Sequence, residues 1–110
     1  ESTGHFMFYS VCPVQCPENL RTPMGEFLHR ANHGLNLGNF EFDLTDGDIR
    51  FKTSVCTSGQ SLNHESFQTL VHHNVLVMDE YLVGIYGIIE QGMTAEAAIM
   101  TVETPAVGDA

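Results

Sequence analysis

Asn39-Phe40-Glu41-Phe42-Asp43-Leu44-Thr45-Asp46-Gly47-Asp48-Ile49-Arg50-Phe51-Lys52-Thr53-Ser54-Val55 is the stretch that decides the fold. Phe40, Phe42 and Leu44 alternate with Asn39, Glu41 and Asp43. Beyond Asp46-Gly47, Ile49, Phe51, Thr53 and Val55 alternate with Arg50, Lys52 and Ser54. A period of two is the signature of a half-buried strand. Asp-Gly between two such runs predicts a hairpin (39–55) closed by a two-residue type I′ turn. That turn sets Leu44 opposite Ile49 and Phe42 opposite Phe51 on one face. On the other face it sets Asp43 opposite Arg50 and Glu41 opposite Lys52. Pairs of this kind contribute roughly 0.2–1 kcal/mol each. Two of the four basic residues are thereby committed to structure.

Upstream, His5 to Val11 is apolar and aromatic and predicts a strand, ended by Pro13 and Pro17, which cannot donate to a ladder. Residues 12–22 then form a loop. Thr22 is an expected N-cap with Pro23 in the first helical position, opening a helix over 23–34. Its apolar positions are Met24, Phe27, Leu28, Ala31 and Leu35, and Asn32, Gly34 and Gly38 supply the stop.

Downstream, a polar turn offers Ser61 or Asn63 as the cap of a long helix over 63–91. Phe67, Leu70, Val71, Asn74, Met78, Tyr81, Leu82, Ile85, Ile88 and Ile89 form its core stripe. Gly84 and Gly87 each cost about 1 kcal/mol of helix propensity and imply a kink or a close helix approach. Gly92 ends the helix, Thr94 caps a short one reaching about Glu103, and 104–110 is a tail. The expected architecture is α+β: one domain over 1–103 with an antiparallel sheet covered by helices.

The chain has 110 residues and a net charge of −10, with 14 acidic side chains against four basic ones. Phosphate contacts need clustered Lys and Arg, so this balance argues against nucleic acid and against anionic membrane surfaces. No apolar run reaches the length of a membrane span. Three cysteines, an odd number, argue against a disulfide framework and for a reducing cytoplasm. The chain opens Glu1-Ser2-Thr3-Gly4 without an initiator Met and with a strand close behind, so an N-terminal element is expected to be missing or supplied from elsewhere.

The run Phe27-Leu28-His29-Arg30-Ala31-Asn32-His33-Gly34-Leu35-Asn36-Leu37-Gly38-Asn39-Phe40-Glu41, followed by Asp46-Gly47-Asp48-Ile49-Arg50-Phe51-Lys52, resembles the YbjN-like family, its cyanobacterial branch above all. Leu70-Val71, Asn74, Met78-Asp79-Glu80-Tyr81-Leu82 and Gly84-Ile85 look like that family's second helical motif, and Thr94-Ala95-Glu96-Ala97-Ala98 like its tail. The resemblance covers residues 8–103 in order. It implies a fold like that of type III secretion chaperones, often homodimeric, with a sensory or regulatory role and no catalytic motif. Two departures stand out: the N-terminal helix and first strands of the family are lacking, and Val83 stands where Pro is expected.

Five constellations bear on chemistry or binding. Cys12-x3-Cys16, then His29-x3-His33, has the spacing of a two-Cys, two-His zinc site, although the intervening residues lack a zinc finger's apolar spacing. Cys56 with His72 and His73 can be drawn as a thiol and its base, against the plainer reading of a small buried thiol at a strand end. Asn74, inside an apolar stripe, needs partners for its amide and would fix packing or dimer register. His64, His72, His73, Asp79 and Glu80 read as a solvated helix surface. Lastly, Val75, Leu76, Val83 and Tyr86 fall off the core stripe. They are covered either by the short C-terminal helix or by another molecule. If they form the interface between copies, Val83→Asp yields a folded monomer. The expected function is a non-catalytic, chaperone-like binding or regulatory module, homodimeric, with a protein client and no cofactor. The alternative is a small zinc-binding protein using Cys12, Cys16, His29 and His33.

Overall fold

The computed structural model describes residues 4–57 and 62–103. They form an α+β fold in which a three-stranded antiparallel sheet carries helices on one face. The strands are β1 (His5–Val11), β2 (Asn39–Phe42) and β3 (Ile49–Cys56), in the order β1-β3-β2. The helices are α1 (Arg21–Gly34), α2 (His64–Gln91) and α3 (Ala95–Glu103), with a single 3-10 turn, Glu18–Leu20, leading into α1. α1 lies over β2, α2 over β1 and β3, and α3 packs on both helices.

The hairpin is present with the expected faces but not the expected register. Phe42 stands opposite Ile49, Phe40 opposite Phe51, Glu41 opposite Arg50 and Asn39 opposite Lys52. The pairing is therefore offset by two residues from that of a two-residue turn, which leaves every side chain on its expected face. The connection is longer because the acidic side chains use up backbone donors within it. Asp43 Oδ1 accepts from Thr45 N–H at 2.8 Å, and Asp46 Oδ1 from Asp48 N–H at 2.8 Å. Asp43 N–H meets Asp48 C=O at 2.9 Å to close the loop. Leu44, expected opposite Ile49, is exposed in that loop. Glu41 still finds both expected cations, with Arg50 Nε at 2.6 Å straight across and Lys52 Nζ at 2.8 Å on the diagonal.

α1 starts one residue before Thr22, at Arg21, with Leu20 in the N-cap position and no side-chain cap. The 3-10 turn begun after Pro17 feeds directly into the helix, so Thr22 is not the cap. Pro23 still falls within the first turn, where no intrahelical donor is lost. The start of α2 follows the sequence reading, since Asn63 Oδ1 accepts from Ser66 N–H at 2.8 Å. The alternative cap Ser61, and the tail 104–110, lie outside the described residues. α2 ends on Gly92 in the left-handed region, φ 68°. Thr94 Oγ1 accepts from Ala97 N–H at 3.1 Å to open α3.

The core is made by Met24, Phe27 and Leu28 of α1, Phe40, Ile49 and Phe51 of the sheet, and Met78, Tyr81, Ile85 and Ile88 of α2. Gly84 is a point of close helix contact. A Cβ there would overlap Phe27 Cζ and lie 2.6 Å from Phe27 Cε1 and 3.0 Å from Val102 Cγ2. Of the two readings of that glycine, kink or close contact, the contact is what the fold uses, and α2 runs unbroken for 28 residues.

Candidate functional site: the outer face of α2 and the open strand edge

α2 is 28 residues long and has two apolar faces. Its inner face is anchored by Asn74, which is completely buried. Asn74 Nδ2 donates to Phe8 C=O and Phe51 C=O at 3.0 Å each and lies 3.1 Å from Thr53 Oγ1. Its Oδ1 accepts from Ser10 Oγ at 2.5 Å. One side chain thus ties the helix to two strands, and no buried polar side-chain atom among the described residues lacks a partner. Asn74 is a satisfied structural amide.

The off-stripe set lies on the outer face. Val75, Leu76 and Val83 are 43%, 46% and 58% exposed, and Tyr86 is half-buried. α3 does not roof them, because it packs on the opposite flank. There Val102 approaches Gly84, and Tyr81 Oη donates to Glu103 Oε2 at 2.6 Å. Burial, with the Glu103 carboxylate beside it, pushes the Tyr81 phenol far above its usual range. Asp79, Glu80 and Glu90 are exposed along α2, which has neither Lys nor Arg. The outer face is therefore apolar with acidic side chains set into it.

The proposed zinc ligands are not brought together. Cys12 and Cys16 are buried, while His29 and His33 are exposed on α1. The reason is the path of the loop after β1, which runs back along the hairpin connection. Cys12 N–H reaches Ile49 C=O at 2.8 Å and Cys16 N–H reaches Gly47 C=O at 2.9 Å, turning both thiols into the core. Burial pushes both thiols up; Val14's backbone partly offsets this at Cys12, and Arg21 does so at Cys16. A protonated thiol is a poor ligand and a poor nucleophile. Among the described residues no group of three or more His, Cys, Asp and Glu side chains is placed to hold a metal ion.

Cys56 is exposed at the end of β3, a correction to the buried thiol expected there. His72 is exposed, and His73 Nε2 lies 3.1 Å from Leu37 C=O with its ring near Phe51. His73 also borders a groove of about 360 Å³ between the first turns of α2 and the Leu37–Gly38 segment, walled further by Thr53, Ser54 and Leu70.

Asn32 does something that sequence reading missed. It was expected only to end α1, yet its Oδ1 accepts from Phe40 N–H at 2.7 Å and its Nδ2 donates to Phe40 C=O at 3.1 Å. The amide closes the free edge of β2 as a neighbouring strand would. Local sequence carries no signal for this, since Asn near a helix end is read first as a stop.

All four basic side chains are engaged within the chain. Arg21 Nη1 donates to Leu44 C=O and Thr45 C=O, Arg30 pairs with Glu26, and Arg50 and Lys52 share Glu41. No helix among the described residues is long and apolar enough to cross a membrane. Comparison with family models, with curated proteins and with solved structures found no match.

Proposed function

We propose that this chain is a non-catalytic, chaperone-like protein-binding module that works as a homodimer, and that the outer face of α2 receives a client protein. The observation that carries this reading is the exposure of Val75, Leu76 and Val83 on a helix whose opposite side is buried from Asn74 to Ile88. Aliphatic side chains gathered on one helix face are what a helix-in-groove or helix-on-helix contact uses. Asp79, Glu80 and Glu90, with no cation on α2, select a client segment that is amphipathic and basic. The engagement of all four Lys and Arg side chains with internal partners supports protein, and not nucleic acid, as the ligand. Raised thiol pKa values at Cys12 and Cys16 support a structural role for both, and reduced buried thiols fit a cytoplasmic setting.

The test uses a labelled model peptide of Leu and Lys that folds as an amphipathic helix, titrated by fluorescence anisotropy. The chain binds it, Val83→Asp weakens binding at least tenfold, and a Leu/Glu peptide of the same design does not bind. Equal binding of both peptides, or no effect of Val83→Asp, removes the outer face of α2 as the client site.

A further inference from the structure

The sheet has two edges, and they are treated differently. At the β2 edge the strand is four residues long, carries Glu41, and has Phe40's outward N–H and C=O taken by Asn32. At the β1 edge the strand is seven residues long, His5-Phe6-Met7-Phe8-Tyr9-Ser10-Val11. It contains no Lys, Asp, Glu or Pro, and its register with β3 runs without a bulge. Its ladder with β3 fixes which backbone groups face out. Cys12 N–H bonds Ile49 C=O, and Thr57 N–H bonds Gly4 C=O, so the even-numbered residues face β3. The N–H and C=O groups of His5, Met7, Tyr9 and Val11 therefore point away from the sheet, with no partner strand among the described residues.

We propose that two copies of the chain join antiparallel along β1, about a two-fold axis at Phe8, to form one continuous six-stranded sheet. A bare strand edge is a template for pairing with another extended backbone. With the axis at Phe8, Met7 pairs with Tyr9 of the second copy and His5 with Val11, so all four outward-facing residues in each strand find a partner at once. An axis at Tyr9 leaves His5 without one. The side chains agree. Met7 and Val11, 52% and 61% exposed, lie on the outer sheet face and would meet Tyr9 and His5 of the other strand. On the inner face the Phe8 rings adjoin. The half-exposed Phe67, edge-on to Phe6 with ring centroids 5.3 Å apart, comes to the seam.

Charge favours this seam over one between α2 outer faces. Each chain carries −10, and an antiparallel α2 pair centred on the patch sets Asp79 and Glu80 against their own counterparts. β1 brings no carboxylate. Both outer faces of α2 remain free for clients.

This rests on the homodimer reading, and the experiment separates the two. Light scattering over a dilution series gives the mass, and amide exchange on the same samples gives the protection of Met7, Tyr9 and Val11. A dimer in which these three amides exchange at least tenfold faster on dilution to the monomer supports the seam. A dimer in which they exchange freely overturns the seam and leaves the homodimer. A monomer at all concentrations overturns both, whereas protection that persists in the diluted monomer overturns the seam alone, because the chain then covers its own edge. Met7→Pro removes only an outward N–H, a substitution that edge strands tolerate. It should raise the dimer dissociation constant at least tenfold with unchanged circular dichroism, whereas Val83→Asp should leave the dimer intact. The reverse pattern moves the seam to α2.

Discussion

α2 turns Met78, Tyr81, Ile85 and Ile88 toward the sheet and α1, and Val75, Leu76 and Val83 away from both. Both faces carry apolar side chains, but only the inner one also carries Gly84 and the buried Asn74. Gly84 and Asn74 both lower helix propensity, Gly by about 1 kcal/mol relative to Ala. Each sits where a neighbour demands it: Gly84 under Phe27, and Asn74 against the carbonyls of Phe8 and Phe51. The outer face has no such demand. A position fitted to a neighbour within the chain shows its fit in residue choice, whereas a face kept for another molecule shows only apolar area and charge.

The largest effect should come from Asn74→Ala. It takes a second hydrogen bond from two ladder carbonyls and from the Thr53 hydroxyl, and removes the Ser10 hydroxyl's partner, in a buried site. The expected loss is about 3 kcal/mol, measured by urea unfolding. A loss under about 1 kcal/mol would mean water enters and replaces the amide, and the inner face would then be less closed than its packing implies.

Gly84→Ala comes next. The new methyl group overlaps the Phe27 ring, so α1 and α2 must separate. Overpacking of about 3 kcal/mol, offset by about 1 kcal/mol of helix propensity, leaves a net loss of about 2 kcal/mol. Val83→Ala, one residue away on the outer face, should change stability by less than about 0.5 kcal/mol. Equal effects at the two positions would erase the distinction between the faces.

Tyr81→Phe tests the rim where α3 meets α2. It removes the hydrogen bond to Glu103 and keeps the ring packed on Phe40, for a loss of about 1 kcal/mol. The phenol's pKa is raised in the folded state, chiefly by burial and then by Glu103. The folded protein therefore holds this proton above pH 10 while the unfolded chain, with tyrosine near 10, releases it. By linkage its contribution to stability is constant below about pH 10 and falls above it. Tyr81→Phe should flatten that alkaline fall. Parallel alkaline limbs would place the pH sensitivity elsewhere.

Much of this fold is legible in the sequence. Alternation over 39–55 fixed both faces of the hairpin, because a two-residue offset preserves side-chain direction. The register itself was not legible. It depends on Asp43 and Asp46 binding nearby amides, and on Arg21, 23 residues upstream of Leu44, holding the loop carbonyls. The cap at Asn63 and the glycine at 92 were local and readable. Cys12 and Cys16 misled because metal spacing and a buried loop look alike until the loop's path is known. Asn32 and the bare edge of β1 were invisible, since strand order, not any local pattern, decides which strands end the sheet.

The smallest effect on folding is also the sharpest test of the outer face. Val83 is more than half exposed, so replacing it with Asp strands no packed neighbour. Val and Asp have similar helix propensity, and the new carboxylate meets Asp79 one turn away at a cost of roughly 0.2–0.5 kcal/mol. Unfolding should thus shift by about 0.5 kcal/mol. Binding of the basic Leu/Lys peptide should meanwhile fall at least tenfold, because a charge is placed in the apolar centre of the contact and must be desolvated there. Stability and binding are then separated in one variant. If the same substitution instead unfolds the chain by 2 kcal/mol or more, Val83 is covered by residues of its own molecule, and α2 has one buried circumference and not two faces.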